Sequence, residues 1–127
     1  MKQTHTGEYP HDWQVIAQQI KDRAGWKCAR CGHEHNTAAG YMLTVHHADC
    51  NKSNLAWWNL LPLCQRCHLH IQGKVIMRRQ WLFEHSDWFK PFAAGYYAHI
   101  HGLDDSRDAV MANLQRYLDI GQHREVA

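Results

Sequence analysis

Long apolar runs and a strong charge of one sign are both missing from this chain of 127 residues. No stretch approaches the ~20 consecutive apolar residues that a membrane-spanning helix needs, and no secretory signal opens the chain. The sequence therefore predicts a soluble, cytoplasmic protein with no membrane partner. The formal net charge is +2 and the pI is near 8.3, a balance that alone neither requires nor excludes nucleic acid as a partner.

Histidine and cysteine are present in unusual numbers, with 12 and 5 copies. Four cysteines form two C-x-x-C pairs, Cys28 with Cys31 and Cys64 with Cys67, and Cys50 stands outside them. Such spacing is typical of a tetrahedral four-thiolate zinc site, and four protein ligands leave no open position, so we expect one structural zinc. Two disulfides, or a redox thiol pair without stoichiometric zinc, are the alternatives.

The hydrophobic pattern predicts a small α+β protein with one domain. Apolar spacing of 3–4 residues indicates helices, and alternation indicates strands. The first half is expected to contain a helix over 13–24 capped by Asp12 and ended by Gly25, a strand over 41–46, a short strand or extended turn over 55–63, and a helix that opens at 62–65 and includes His68 and Ile71.

The second half is predicted to be helical. Pro91 fits the first turn of a helix capped by Ser86 or Asp87 and ended at Gly102 after His101. A last helix is expected over 106–120, with Gly121 as its stop. The expected domain plan is a flexible arm over 1–11, a brace helix over 12–25, a zinc-framed core over 26–73 and a helical extension over 74–127.

Three histidines and one asparagine surround the second cysteine pair. His46 and His47 are adjacent at the end of the predicted strand, so their side chains point to opposite faces unless the strand ends there. Asn59 heads the second apolar run, and His68 directly follows Cys67. A histidine can act as a base near neutral pH, and a cation with few protein ligands can bind phosphate oxygens. Cleavage of a phosphodiester bond needs both a deprotonated water and a cation that stabilises the developing negative charge.

This stretch resembles the HNH endonuclease family, whose ββα-metal motif reads Asp/His-His on a strand, then Asn, then a helix with His. The matching segments are VHH at Val45–His47, NL at Asn59–Leu60 and LCQRCH at Leu63–His68. The resemblance covers about residues 26–73, and the four cysteines are similar to those of its zinc-containing branch. The pattern also resembles HNH proteins of phages and prophages.

The resemblance implies a role for each of these residues. His46 and His68 would be ligands of a catalytic divalent cation, His47 would be the general base, and Asn59 would orient His47 or pin the loop. Gln72 stands where some members carry a further ligand, but glutamine binds metals weakly. Two protein ligands with water and phosphate suit Mg²⁺ or Mn²⁺, although imidazoles also suit Zn²⁺ or Ni²⁺. The implied activity is a cut in DNA, on one strand or both, that leaves 5′-phosphate and 3′-hydroxyl ends.

DNA contact and partners follow less directly from the residues. Arg66, Lys74, Arg78 and Arg79 either line a phosphate-binding face or form an ordinary exposed helix face. Tight sequence specificity would require a homodimer or a phage or host protein partner. The alternative to a nuclease is a non-catalytic, zinc-ribbon-like module that binds nucleic acid, which does not require the full histidine and asparagine set.

Overall fold

The computed structural model describes residues 7–72 and 86–126, and for residues 122–126 it describes the backbone alone. Within these ranges, no helix combines the length and the apolar character that crossing a bilayer requires. The predicted small α+β class is confirmed. The elements in chain order are α1 (Trp13–Arg23), β1 (Leu43–His47), a 3₁₀ turn (Trp57–Asn59), β2 (Leu60–Cys64), α2 (Gln65–Ile71), α3 (Lys90–Ile100), α4 (Arg107–Ala112) and α5 (Leu114–Val126).

The two strands pair antiparallel, with Leu43 opposite Cys64 and His47 opposite Leu60. Successive side chains of a strand alternate between faces, so His46 and His47 project to opposite sides of this ribbon. The His46 ring meets His68 of α2, while the His47 ring meets Trp13 of α1. One helix therefore covers each face.

The apolar segment after Asn54 begins as a 3₁₀ turn and becomes strand β2 only at Leu60. All five residues of β2 are buried, which explains their uninterrupted apolar character. Pro62 is tolerated in β2, and its carbonyl accepts a hydrogen bond from the Ala29 N–H at 2.8 Å. That bond ties the first cysteine segment to the outer edge of β2.

The hydrophobic core joins the ribbon to the C-terminal helices. Trp58 packs against α3, and the Trp57 indole N–H donates to the carbonyl of Asp105 at 3.2 Å. Helix α3 also packs on α5. The largest fully buried side chains include Tyr97, Phe89, Leu43, Leu60, Leu61, Leu63 and Ile71.

The predicted single helix over 106–120 is wrong. Ser106 caps α4 by accepting the Ala109 N–H at 3.2 Å, and α4 ends at Ala112. Asn113 has φ −135° and ψ 42°, outside the helical range, and α5 then starts a new helix. Gly121 does not stop it, because α5 continues to Val126.

The predicted cap of α3 is wrong, whereas the predicted position of the α1 cap is confirmed. Phe89, and neither Ser86 nor Asp87, is the N-cap of α3, while Asp87 forms an ion pair with Lys90 at 3.2 Å. Pro91 lies in the first turn of α3, as expected. Asp12 is the N-cap of α1, as predicted, although its side chain forms no cap hydrogen bond. The predictions for residues 1–6, and for the outward Lys74, Arg78 and Arg79, lie outside the described residues.

Candidate metal centre

The four paired cysteines converge at one point, where the turn that holds Cys28 and Cys31 after α1 meets the start of α2. Their sulfur atoms all lie within 4.8 Å of one another, and Cys31 Sγ is 3.8 Å from Cys64 Sγ. Four sulfurs at ~2.3 Å from a tetrahedral ion would be about 3.8 Å apart. The cluster could hold a structural metal ion, and its geometry and all-sulfur donor set are consistent with zinc. Cys50 is buried and does not belong to this cluster.

Each cysteine pair forms a tight turn around its first sulfur. The Cys31 N–H donates to Cys28 Sγ and the Cys67 N–H donates to Cys64 Sγ, both at 3.5 Å. Gly32 closes the first turn with φ +76°, a backbone conformation that favours glycine. Cys64 is at once the last residue of β2, the N-cap of α2 and a candidate ligand. A metal ion held by this cluster would therefore fix where α2 begins.

The surroundings of the cluster shift the pKa values of its thiols in different directions. Burial raises the pKa of the Cys67 thiol to about 12, although the Arg30 guanidinium donates to its sulfur at 3.3 Å. Burial also raises the pKa of Cys28, but hydrogen bonds from nearby backbone N–H groups outweigh it and leave that pKa at about 7. Four adjacent thiolates are mutually repulsive, so a bound cation is what would make the fully ionised cluster stable.

The buried His46 of β1 and the partly buried His68 of α2 form a close pair. His46 Nδ1 lies 3.1 Å from His68 Nε2, and the ring centroids are 4.8 Å apart. Two nitrogens bound to one ion at ~2.0–2.2 Å, with an angle near 90–100°, would be separated by about 3 Å. The pair is therefore spaced as two ligands of the same divalent cation would be.

Thr44 lies on the same face of β1 as His46, two residues earlier. Its hydroxyl is 2.7 Å from the Leu63 carbonyl oxygen and 3.1 Å from His68 Nδ1. Thr44 did not enter the set of residues predicted from the sequence. The alternation of a strand could have found it, because a residue two positions before His46 must share its face.

His47 occupies the opposite face of β1 and is 4% exposed. Its ring lies 4.8 Å from that of Trp13 and 5.8 Å from that of Tyr9, and these two aromatic rings stack at 5.1 Å. Lys52 Nζ sits 4.9 Å from the Tyr9 ring. We call Tyr9 and Trp13 the aromatic cover of His47. Sequence reasoning placed Tyr9 in a loose arm, and nothing in the local pattern connects it with His47.

Asn59 is fully buried and holds the loop that follows His47. Its side-chain oxygen accepts the Asp49 N–H at 2.9 Å, and its amide donates to the Asn54 carbonyl at 3.0 Å. The Asn59 backbone carbonyl accepts the Ala48 N–H at 2.9 Å. Asn54 in turn donates to the Asp49 carboxylate at 2.7 Å. Asn59 thereby fixes the chain directly after His47, between β1 and the 3₁₀ turn.

The other polar residues on and after α2 lie at the surface. His70 and Gln72 are exposed on and just after α2. The Arg66 guanidinium donates to the Ala39 carbonyl at 3.0 Å and lies 4.5 Å from the Tyr41 ring. Arg66 is thus engaged with its own chain, although it remains exposed.

Comparison with known proteins yields one partial similarity. A segment of 65 residues, 51% of this chain, is 35% identical to the Zorya protein ZorE of Escherichia coli strain Crooks. The matched segment spans only 17% of the length of that protein. No family model matches the chain, and no solved structure matches it.

Proposed function

We propose that this protein is a metal-dependent endonuclease of the HNH type that hydrolyses phosphodiester bonds of DNA. In this proposal the two strands and α2 are a ββα-metal core, and the four-cysteine cluster is its structural zinc site. The observation that carries the proposal is the 3.1 Å approach of His46 Nδ1 to His68 Nε2, with His68 directly following the cluster residue Cys67 in the chain. A purely structural zinc module has no need for this second pair of ligands.

His46 and His68 are the residues that would hold the catalytic cation. When bound, a divalent cation would stabilise negative charge on the phosphate and the leaving oxygen. Two imidazoles leave most of its coordination shell to water and phosphate, an arrangement open to a substrate. The proposed cation is Mg²⁺ or Mn²⁺.

His47 is the proposed general base, which would take the proton from the attacking water. Its ring lies on the opposite face of β1 from the His46–His68 pair, so the phosphate would have to bind at the end of the strand, where His47 is the last residue, to reach both. An imidazole is suited to act as the base because its ordinary pKa lies near neutral pH. Asn59 supports it indirectly, since it fixes the backbone from Ala48 to Asn54 by the hydrogen bonds described above. The loop conformation after His47 is therefore set before any substrate arrives.

DNA is the proposed substrate on the strength of the HNH-like sequence pattern. The partial similarity to a Zorya protein is compatible with this proposal but adds no substrate of its own, since it covers a small part of that protein. The partly exposed Lys52, whose Nζ lies 4.9 Å from the Tyr9 ring of the aromatic cover, offers a phosphate contact near the proposed base.

A plasmid-nicking assay with Mg²⁺, Mn²⁺ or excess chelator tests the proposal. We expect relaxed or linear products with either metal and none with chelator, and the ratio of the two products reports single- or double-strand cutting. His68→Ala should abolish cleavage, whereas His70→Ala, an exposed histidine of the same helix, should retain it. DNA binding without cleavage in any metal would favour the non-catalytic zinc module.

A further inference from the structure

We infer that Thr44 is a positioning residue that fixes His68 in the tautomer protonated on Nδ1, so that His68 Nε2 presents a lone pair toward His46. This inference rests on the proposed function in one respect, namely that the lone pair of His68 Nε2 serves to bind the catalytic cation. The hydrogen-bonding chain itself runs from Leu63 through Thr44 to His68.

The direction of the first bond in this chain is fixed by chemistry. A backbone carbonyl oxygen can only accept, and the Thr44 hydroxyl has one proton to donate. At 2.7 Å from the Leu63 oxygen, the hydroxyl donates that proton to the carbonyl. Toward any other neighbour, Thr44 Oγ1 is therefore an acceptor.

The second bond then determines the tautomer of His68. Thr44 Oγ1 accepts at 3.1 Å from His68 Nδ1, so Nδ1 carries the proton. In a neutral imidazole the other nitrogen, Nε2, must then be unprotonated. This nitrogen is the one that lies 3.1 Å from His46 Nδ1, where a shared cation would be bound.

The chain of hydrogen bonds is anchored on rigid structure. Thr44 pairs with Leu63 across the ribbon, Leu63 is fully buried, and a β-branched threonine has few rotamers available on a strand. A ligand held in one tautomer loses less freedom when it binds a metal, and partners of this kind typically change metal affinity by ~10–100-fold.

Nitrogen-15 NMR of the zinc-loaded chain, without a second metal, tests the tautomer directly. We expect the His68 Nδ1 signal to be that of a protonated nitrogen and the Nε2 signal that of an unprotonated one, with His68→Ala used for assignment. Thr44→Val, which keeps the shape but lacks the hydroxyl, should shift the population toward the opposite tautomer. Thr44→Ser should restore the wild-type pattern.

Mn²⁺ titration of the same samples gives the second readout. We expect Thr44→Val to weaken Mn²⁺ binding by about 10–100-fold and Thr44→Ser to remain within about threefold of wild type, with zinc content unchanged in both. Wild-type tautomer and affinity in Thr44→Val would overturn the inference, as would a Thr44→Ser variant that behaves like Thr44→Val.

The outcome is independent of cleavage. A chain that fails to cut DNA but shows the Thr44-dependent tautomer and Mn²⁺ affinity refutes the nuclease and supports this inference. DNA cleavage by the wild type, together with an unchanged His68 tautomer in Thr44→Val, would support the nuclease and refute this inference.

Discussion

His46 and His47 are neighbours in the chain, yet their rings lie on opposite faces of β1. His46 Nδ1 lies 3.1 Å from His68 Nε2 under α2, whereas the His47 ring lies 4.8 Å from Trp13 of α1. Because the two side chains contact different elements, metal binding and proton transfer would depend on separate surroundings. The two functions are therefore separable by mutation.

We predict that His47→Ala reduces DNA cleavage by at least ~100-fold while Mn²⁺ affinity changes little, since a positioned base contributes a factor of this order. His46→Ala should reduce both, because it removes a ligand. Single-turnover nicking and Mn²⁺ titration, each on protein with one zinc per chain, measure the two effects. Full activity in His47→Ala would show that another group acts as the base.

The aromatic cover of His47 leads to a second prediction. Tyr9 is 50% exposed and stacks on Trp13 at the surface, so its removal should open one side of the imidazole. We expect Tyr9→Ala to raise the rate at which diethyl pyrocarbonate modifies His47 several-fold, as measured by mass spectrometry of the corresponding peptide.

Val15→Ala provides a matched control for this experiment. Val15 is 60% exposed on the same helix as Trp13, so its truncation should leave modification of His47 unchanged. An equal modification rate in Tyr9→Ala and the wild type would mean that Tyr9 does not shield His47 in solution.

The cysteine cluster leads to a third prediction. Cys64→Ser should lose stoichiometric zinc and with it most of the folding free energy, since a structural zinc contributes on the order of 10 kcal/mol. Serine is itself a good N-cap, so α2 keeps its cap and the loss reports the missing ligand. Zinc analysis and circular dichroism measure the result.

Cys50→Ser is the control for the zinc experiment. Cys50 is buried but lies outside the four-sulfur cluster, so this variant should keep one zinc per chain. A folded Cys64→Ser variant without metal would show that the cluster is not required for the fold.

Most of what could be predicted from the sequence followed from the spacing of residues that are close together in the chain. The C-x-x-C turns bring each pair of sulfurs together within three residues, and strand alternation separates His46 from His47. Other features depend on contacts between distant segments. The aromatic cover joins Tyr9 to His47 across 38 positions, and no periodicity encodes such a contact. The break at Asn113 also escaped prediction, because the apolar spacing continues through it.

Gly121 shows how one residue can be misinterpreted from the sequence. Glycine near the end of an apolar pattern usually indicates a helix stop, but here it lies inside α5 and is buried. A Cβ at this position would come within 2.3 Å of the Tyr97 ring. Since Tyr97 is one of the largest buried side chains, its ring has little room to retreat. The glycine therefore permits close packing of α5 on α3.

We accordingly predict that Gly121→Ala destabilises the protein by about 1–3 kcal/mol, although alanine is the better helix former by ~1 kcal/mol. The overlap with Tyr97 must exceed the gain in helix propensity for this sign to hold. Urea unfolding of the zinc-loaded protein measures the change, and Gln115→Ala on the exposed side of α5 should stay within about 0.5 kcal/mol of wild type. Stabilisation by Gly121→Ala would instead mean that α5 stands further from Tyr97 than the close packing requires.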